Sequence, residues 1–264
     1  MNLILLHDSD FITPNRVRLS GRRFTHIKDV LKAECSKILT VGKINGLMGQ
    51  GIVVGERIFP PLFYKEGVRG SFIELEVKFD QKPPQALALT LVLALPRPPM
   101  LKRILFSSAQ LGVKKIIILN FNRVEKSLWN SSSLKPQAIT EQLVLGLEQA
   151  KDTVMPEVIL KKGFKPFVED ELPALIKGKL ALVAHPDSRS ILPITCSAFR
   201  GSSLSRNKAI GNIDRQILLV VGPEGGIIDY EIELLKAAGC QPIDLGPRIL
   251  RTETVLPYVV GKLF

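Results

Sequence analysis

The chain has 264 residues, 45% apolar and 23% charged, and a formal net charge of +11 with a pI near 9.7. That length favours two domains over one, and the composition is that of an ordinary globular protein rather than a disordered, fibrous or membrane chain. The basic surplus draws it toward polyanions, nucleic acid first.

Residues 1–80 read as a small β domain. Short Val- and Ile-rich strands are expected at Leu3–Leu6, Ile38–Val41, Gly51–Val54 and Phe72–Val77, separated by turns such as Asn45-Gly46 and Gly55, with one helix at Thr25–Leu31. This spacing suits a compact barrel. Gln81-Lys82-Pro83-Pro84 reads as a linker, because two prolines remove donors and favour extended backbone. Residues 85–264 then change character. Leu87–Ala94 is a near-continuous apolar run, as a buried parallel strand requires. A helix over Met100–Leu111, stopped by Gly112, and a strand at Lys115–Leu119 complete a βαβ unit. A helix over Ile139–Lys151, strands at Leu180–Ala184, Gln216–Val221 and Pro242–Leu245, and a helix over Asp229–Ala238 continue the alternation. The fold class is α/β with a mostly parallel sheet. Between the strands, 186–212 is serine-rich, bears Arg189, Arg200, Arg206 and Lys208, and is long enough to be a functional or mobile loop.

Cys35, Cys196 and Cys240 are far apart, and His7, His26 and His185 are equally scattered. A zinc cluster has no support in this spacing, and free thiols suit a reducing compartment. The run Leu3–Leu6 is ended by His7-Asp8 and has no basic stretch before it. Neither signal peptide nor membrane span is expected, and the expected location is the cytoplasm.

Two segments carry chemistry. In the first, strand 216–221 runs into Gly222-Pro223-Glu224-Gly225-Gly226. Glycines at a strand's carboxyl end let backbone approach a ligand, although a plain tight turn is the alternative. The segment is neither GxGxxG nor a phosphate-cradling GxxxxGK[ST], and Glu224 would repel a phosphate. A neutral or cationic ligand, such as a sulfonium, is the better fit. The second segment, Asp244 to Thr254, interleaves Arg248, Arg251 and Glu253 with Ile249 and Leu250. Thr252 or Thr254 is expected to cap the following helix, with Pro257 tolerated early in it. A charged helix start is the bland reading; charges beside apolar residues at a strand end are costly unless used.

Together the two segments resemble the ribosomal small-subunit methyltransferase E (RsmE) family of the SPOUT superfamily. Ala184-His185-Pro186, Ser108 to Val113, Glu148 to Pro156 and Phe24 to Leu31 carry weaker likenesses. The resemblance implies a PUA-like β-barrel RNA-binding domain (1–80), followed by a trefoil-knotted methyltransferase domain (85–264). It implies methyl transfer from S-adenosyl-L-methionine to N3 of a uridine in 16S rRNA, with 16S rRNA or the small ribosomal subunit as partner, a homodimer, and no metal. The implied cofactor-binding residues are Ala184, His185, Gly222, Pro223, Glu224, Gly225, Gly226, Leu245, Gly246, Ile249, Leu250 and Thr252. Uridine N3–H is a poor nucleophile until its proton leaves, so a base or a cation facing the resulting anion is needed. Arg251 is the expected cation, and Glu224 and Glu253 are candidate carboxylates. For RNA contact, Arg16, Arg18, Arg22, Arg23, His26 and Lys28 cluster in the first domain, and Arg97, Lys102, Arg103 and Lys151 lie in the second. A solvated basic face is the alternative for the first cluster. The acceptor side departs from the family: Lys151-Asp152-Thr153 replaces a common glycine–arginine pair, and "SERS" becomes Arg123 to Ser127. A SPOUT enzyme with another RNA target, and an inactive RNA-binding paralogue, therefore stay open. A nucleotide-binding protein unrelated to methylation is disfavoured by the missing phosphate loop.

Overall fold

The computed structural model describes residues 2–58, 70–186 and 216–264, so all of the serine-rich loop except Pro186, and Cys196 with it, lies outside the described residues. The chain divides into two units, Met1–Gln85 with Val144–Met155, and Ala86–Leu143 with Pro156–Phe264.

Among the described residues the first unit has six strands: β1 (Ile4–Leu6), β2 (Phe11–Thr13), β3 (Arg16–Ser20), β4 (Ile38–Lys43), β5 (Met48–Arg57) and β6 (Phe72–Gln81). Their order is β1-β4-β5-β6-β3-β2, with β1 parallel to β4 and every other pair antiparallel. Strands β2 and β3 were not expected. The basic cluster that begins at Arg16 is in part a strand, and Arg-Val-Arg-Leu-Ser alternates outward arginines with fully buried Val17 and Leu19. That period of two is what a half-solvated strand requires. Val17 and Leu19 join Leu6, Ile27, Val41, Ile73 and Leu75 in the core. The helix expected at Thr25–Leu31 starts earlier: α1 (Gly21–Thr25) leaves β3 directly, through Gly21 at φ +60°, and continues as a π-helical turn over His26–Val30. At Gly49 a side chain would overlap the Lys78 carbonyl of β6, and there the β5–β6 register shifts.

The second unit alternates strand and helix through β7 (Leu89–Ala94), α2 (Pro98–Gln110), β8 (Lys115–Leu119), α3 (Pro136–Ala150), β9 (Glu157–Lys161), α4 (Phe164–Pro166), α5 (Leu172–Ile176), β10 (Leu180–Ala184), β11 (Ile217–Val221), α6 (Asp229–Ala237), β12 (Gln241–Ile243) and α7 (Thr252–Leu263). All its ladders are parallel, in the order β12-β10-β11-β7-β8-β9. Strands β7 and β11 are buried at every position, as the apolar runs predict. Helix α2 begins two residues before the expected Met100, because Pro98-Pro99 fill the first turn, where an amide is not needed. It stops before Gly112, whose φ is +84°. Strand β12 ends at Ile243 rather than Leu245. At α7 the capping position belongs to Arg251, with no side-chain cap bond, and Thr252 is the buried first helical residue, which overturns the threonine cap.

The last turns of α3 belong to the first unit. The Glu148 carbonyl accepts the amides of Asn2 and Leu3, both at 3.0 Å, and the Gln149 carbonyl accepts Asn2 Nδ2 at 2.9 Å. The Thr153 carbonyl accepts the Asn45 amide at 2.8 Å, and Asn45 Oδ1 accepts the Met155 amide at 2.8 Å. The Asn45-Gly46 turn of the β domain is thus fixed by residues about a hundred positions away.

Candidate functional site

In a parallel sheet every strand delivers its following loop to the same edge, and ligands of open α/β folds bind at the carboxyl ends. Strand β10 lies between β12 and β11, with Ala184 in register with both Ile243 and Val221. Neighbouring strands are about 4.8 Å apart. The structure therefore brings together the three segments expected to hold the cofactor: Ala184-His185, Gly222–Gly226, and the stretch from Leu245 to Leu250. The His185 amide donates to the Ile243 carbonyl at 3.0 Å, binding the first to the base of the third.

The glycines of the Gly222–Gly226 turn have a role that the sequence reading missed. A Cβ on Gly222 would collide with Cγ1 of Ile227 and come within 3.0 Å of its Cδ1. A Cβ on Gly225 would meet Cβ and Cδ of Arg123 at 3.4 Å, and one on Gly226, at φ +81°, would meet Arg123 Nη1 at 3.4 Å. On the side where side chains would stand, the turn is packed by protein, so the freedom of these glycines serves internal packing there rather than ligand approach. Two further bonds hold the turn. Arg123 Nη1 donates to the Gly225 carbonyl at 2.5 Å. Buried Glu231 accepts the Asn122 amide at 2.6 Å on one oxygen and the Ile228 amide at 3.3 Å on the other.

Beyond β12, Asp244 Oδ1 accepts the Gly246 amide at 3.0 Å, and Gly246 adopts φ +118°. This turn leaves Pro247 and Arg248 exposed and Ile249 90% exposed. Arg251, exposed at the start of α7, has no ion-pair partner among the described residues. The two candidate carboxylates do have partners: Glu224 Oε2 lies 3.6 Å from Arg97 Nε, and Glu253 Oε1 lies 3.9 Å from Arg103 Nη1. Arg97 also reaches Glu125 at 3.5 Å, and Lys102 is exposed on α2.

The basic cluster of the first unit is largely neutralised from within. Arg16 and Arg18 bracket Glu74 at 2.7 and 2.8 Å, and Arg18 lies over the Phe72 ring at 4.3 Å. The hydrogen bond from Arg18 above all, with the field of Arg16, holds the Glu74 carboxyl below the ordinary carboxylate range. Arg22 pairs with buried Glu148 at 2.9 Å, and Lys28 with Glu56 at 2.7 Å. Arg23 is turned inward, binding both oxygens of buried Asp10 and the Leu5 carbonyl. His26 is half-buried, and Lys151 is exposed with a left-handed backbone, φ +55°.

Among the described residues no group of His, Cys, Asp and Glu is placed to hold a metal, and no helix is long and apolar enough to cross a membrane.

A parallel sheet whose glycine turn and basic loop share one carboxyl edge defines a ligand-binding α/β domain. The profile of the RNA methyltransferase domain matches residues 83–263, and the chain belongs to that family. The ribosomal RNA small subunit methyltransferase E of Treponema pallidum is 26% identical over 258 residues, covering 96% of this chain and 87% of that protein. Its counterpart from Synechocystis is 32% identical over 179 residues, covering 67% and 53%. Two solved structures share the fold. A Legionella pneumophila methyltransferase with bound S-adenosylmethionine aligns with TM-score 0.66 at 22% identity, over 100% of this chain and 97% of that one. The small-subunit methyltransferase E of Neisseria gonorrhoeae, also bound to S-adenosylmethionine, aligns with TM-score 0.68 at 20% identity, over 98% and 95%.

Proposed function

We propose that this protein methylates N3 of a uridine in 16S rRNA, using S-adenosylmethionine as methyl donor. The relatives' names and the family membership support the RNA substrate, and the three-loop carboxyl edge supports the donor. The edge residues fit such a group. Ile249 presents an apolar side chain to water that an adenine ring would cover, and Glu224 offers a partly exposed carboxylate suited to a cation rather than a phosphate. Ala184, His185, Leu245, Gly246, Ile249 and Leu250 would hold the adenosine, and Glu224 would face the sulfonium. When bound, the donor supplies an electrophilic methyl group.

The observation that carries the mechanism is the uncompensated charge of Arg251. Glu224 and Glu253 each have a cationic neighbour; the Arg251 guanidinium has no carboxylate among the described residues. It stands at the N-terminus of α7, where the helix dipole adds positive potential. A uracil that gives up its N3 proton to solvent spreads negative charge onto O2 and O4. Arg251 and the α7 amides would stabilise that anion, making N3 nucleophilic. Replacement of Arg251 by alanine should lower methyl transfer about a hundredfold while S-adenosylmethionine binding stays within threefold by calorimetry. Full transfer by that variant would overturn the assignment. Nucleoside mass spectrometry of rRNA from cells lacking the protein should show loss of one 3-methyluridine; an unchanged profile would refute the substrate.

The strand order of the first unit supports reading it as a PUA-like barrel, and the parallel order of the second supports a SPOUT trefoil knot. Of the arginines near the N-terminus, Arg16, Arg18 and Arg22 are at least half exposed by side chain or close to it and remain the candidates for phosphate contact. Arg23 serves the fold. The active form is read as a homodimer in the cytoplasm; a monomeric mass by light scattering under assay conditions would contradict the former.

A further inference from the structure

We infer that Arg123 is a positioning residue of the methyl-donor site, holding the Gly222–Gly226 turn in its binding shape; this rests on the donor reading above. Four observations converge on it. Arg123 sits between two buried anchors, Phe121 and Val124, and the Val124 amide donates to the Phe121 carbonyl at 3.1 Å. The amide of Asn122, one residue before it, is held by buried Glu231 at 2.6 Å. The segment carrying the guanidinium is therefore fixed before the side chain begins. From this base Arg123 Nη1 makes a charge-assisted bond to the Gly225 carbonyl, while the Gly226 amide donates to the Pro223 carbonyl at 2.8 Å. The peptide unit between Gly225 and Gly226 is thus satisfied at both its oxygen and its nitrogen. Lastly, the Arg123 stem covers the Cβ side of Gly225 and its Nη1 that of Gly226, each at 3.4 Å.

The consequence is directional. With that side of the turn occupied and the 225–226 peptide plane locked, a donor molecule meets the opposite side of the turn. Loss of the guanidinium frees the plane to rotate about two residues that have little steric restraint of their own. An exposed arginine has a competing role, contact with an RNA phosphate, and the two make different predictions.

The test uses the full chain with Arg123→Ala and Arg123→Lys, titrated with S-adenosylmethionine by calorimetry and with an rRNA fragment by fluorescence anisotropy. Hydrogen exchange of the 224–227 segment is followed without ligand. Arg123→Ala should raise the Kd for S-adenosylmethionine about tenfold, the worth of one charge-assisted bond, and change RNA affinity less than threefold. Exchange at the Gly226 amide should quicken about tenfold, with the melting temperature of the chain nearly unchanged. Lysine, which still reaches a carbonyl, should recover part of both effects. Loss confined to RNA affinity, or unchanged donor affinity with unchanged exchange, would overturn the inference. If the wild-type chain fails to bind S-adenosylmethionine, the donor reading falls, and the exchange measurement still decides whether Arg123 holds the turn.

Discussion

Replacing Gly222 by alanine tests whether the turn is shaped by packing. The added methyl would fall on Ile227, overlapping Cγ1 and standing 3.0 Å from Cδ1, where carbon atoms ordinarily keep 3.5–4.0 Å. Ile227 is buried, so it cannot swing into solvent. Either it takes an off-rotamer angle or the 222–227 backbone shifts, and overpacking of this kind costs about 1–3 kcal/mol. For a chain of this size that lowers the melting temperature by roughly 2–4 °C per kcal/mol. Ile227→Ala removes both clashing atoms and by itself costs about 2–5 kcal/mol through the cavity it leaves. In the double variant the new methyl occupies part of that cavity. The double variant should therefore be about 1–2 kcal/mol more stable than the sum of the single effects predicts. Urea denaturation of the four proteins in a double-mutant cycle gives the coupling. Additivity within about 0.5 kcal/mol would refute the packing argument and return Gly222 to a role in ligand approach alone.

Three further outcomes follow from local physics. Lys151 holds a left-handed backbone that costs an L-residue about 1–2 kcal/mol, so Lys151→Gly should raise the melting temperature, and a fall would show that its side chain contributes more than its backbone costs. Glu74 is lowered below its ordinary pKa by Arg18 and Arg16. Its contribution is accordingly complete above the unfolded value of about 4.3 and is lost as pH falls through the lower folded value. Glu74→Gln should flatten the acid limb of stability below about pH 4.3, and an unchanged limb would remove Glu74 from the account. Burial pushes the Cys240 thiol up to about 11, whereas Cys35 is exposed. In a Cys196→Ser background at pH 8, Ellman's reagent should titrate one thiol in the native protein and two in guanidinium; two fast thiols in the native state would contradict the burial.

The parallel sheet was legible because β7, β8 and β11 are apolar runs whose burial is nearly continuous, so their pattern needs no tertiary context. Strand β9 escaped because its Glu-Val-Ile-Leu-Lys is half exposed at the sheet's edge and shorter than the periodicity can resolve. Strand β3 was hidden by its chemistry: two arginines drew a reading of charge from a segment whose alternation spelled a strand. Prolines at 166 and 173 concealed the helical stretch from α4 to α5. Within the candidate site, Gly222–Gly226 and the stretch from Asp244 to Thr254 could be singled out because each is local, a turn of glycines or a run of charges after a strand, whereas Ala184-His185 drew notice only through the family resemblance. Arg123 could not be found that way, since its bond to Gly225 spans 102 positions. The internal pairing of the first basic cluster was equally out of reach, because Glu74, Glu148 and Asp10 lie far from it along the chain or give no sign of burial.

The placement of residues 144–155 in the first unit bears on the order in which the protein is made. Synthesis delivers residue 85 about 70 residues before it delivers residue 155, an interval of roughly 4–14 s at 5–20 residues per second. During that interval the amides of Asn2 and Leu3 and the turn at Asn45-Gly46 wait for acceptors and donors that do not yet exist. The amino-terminal unit is first to leave the ribosome but cannot be first to finish. Its completion is tied to a segment that lies within residues 83–263, the stretch matched by the RNA methyltransferase domain, so a chain stalled before residue 155 would present an unfinished amino-terminal unit.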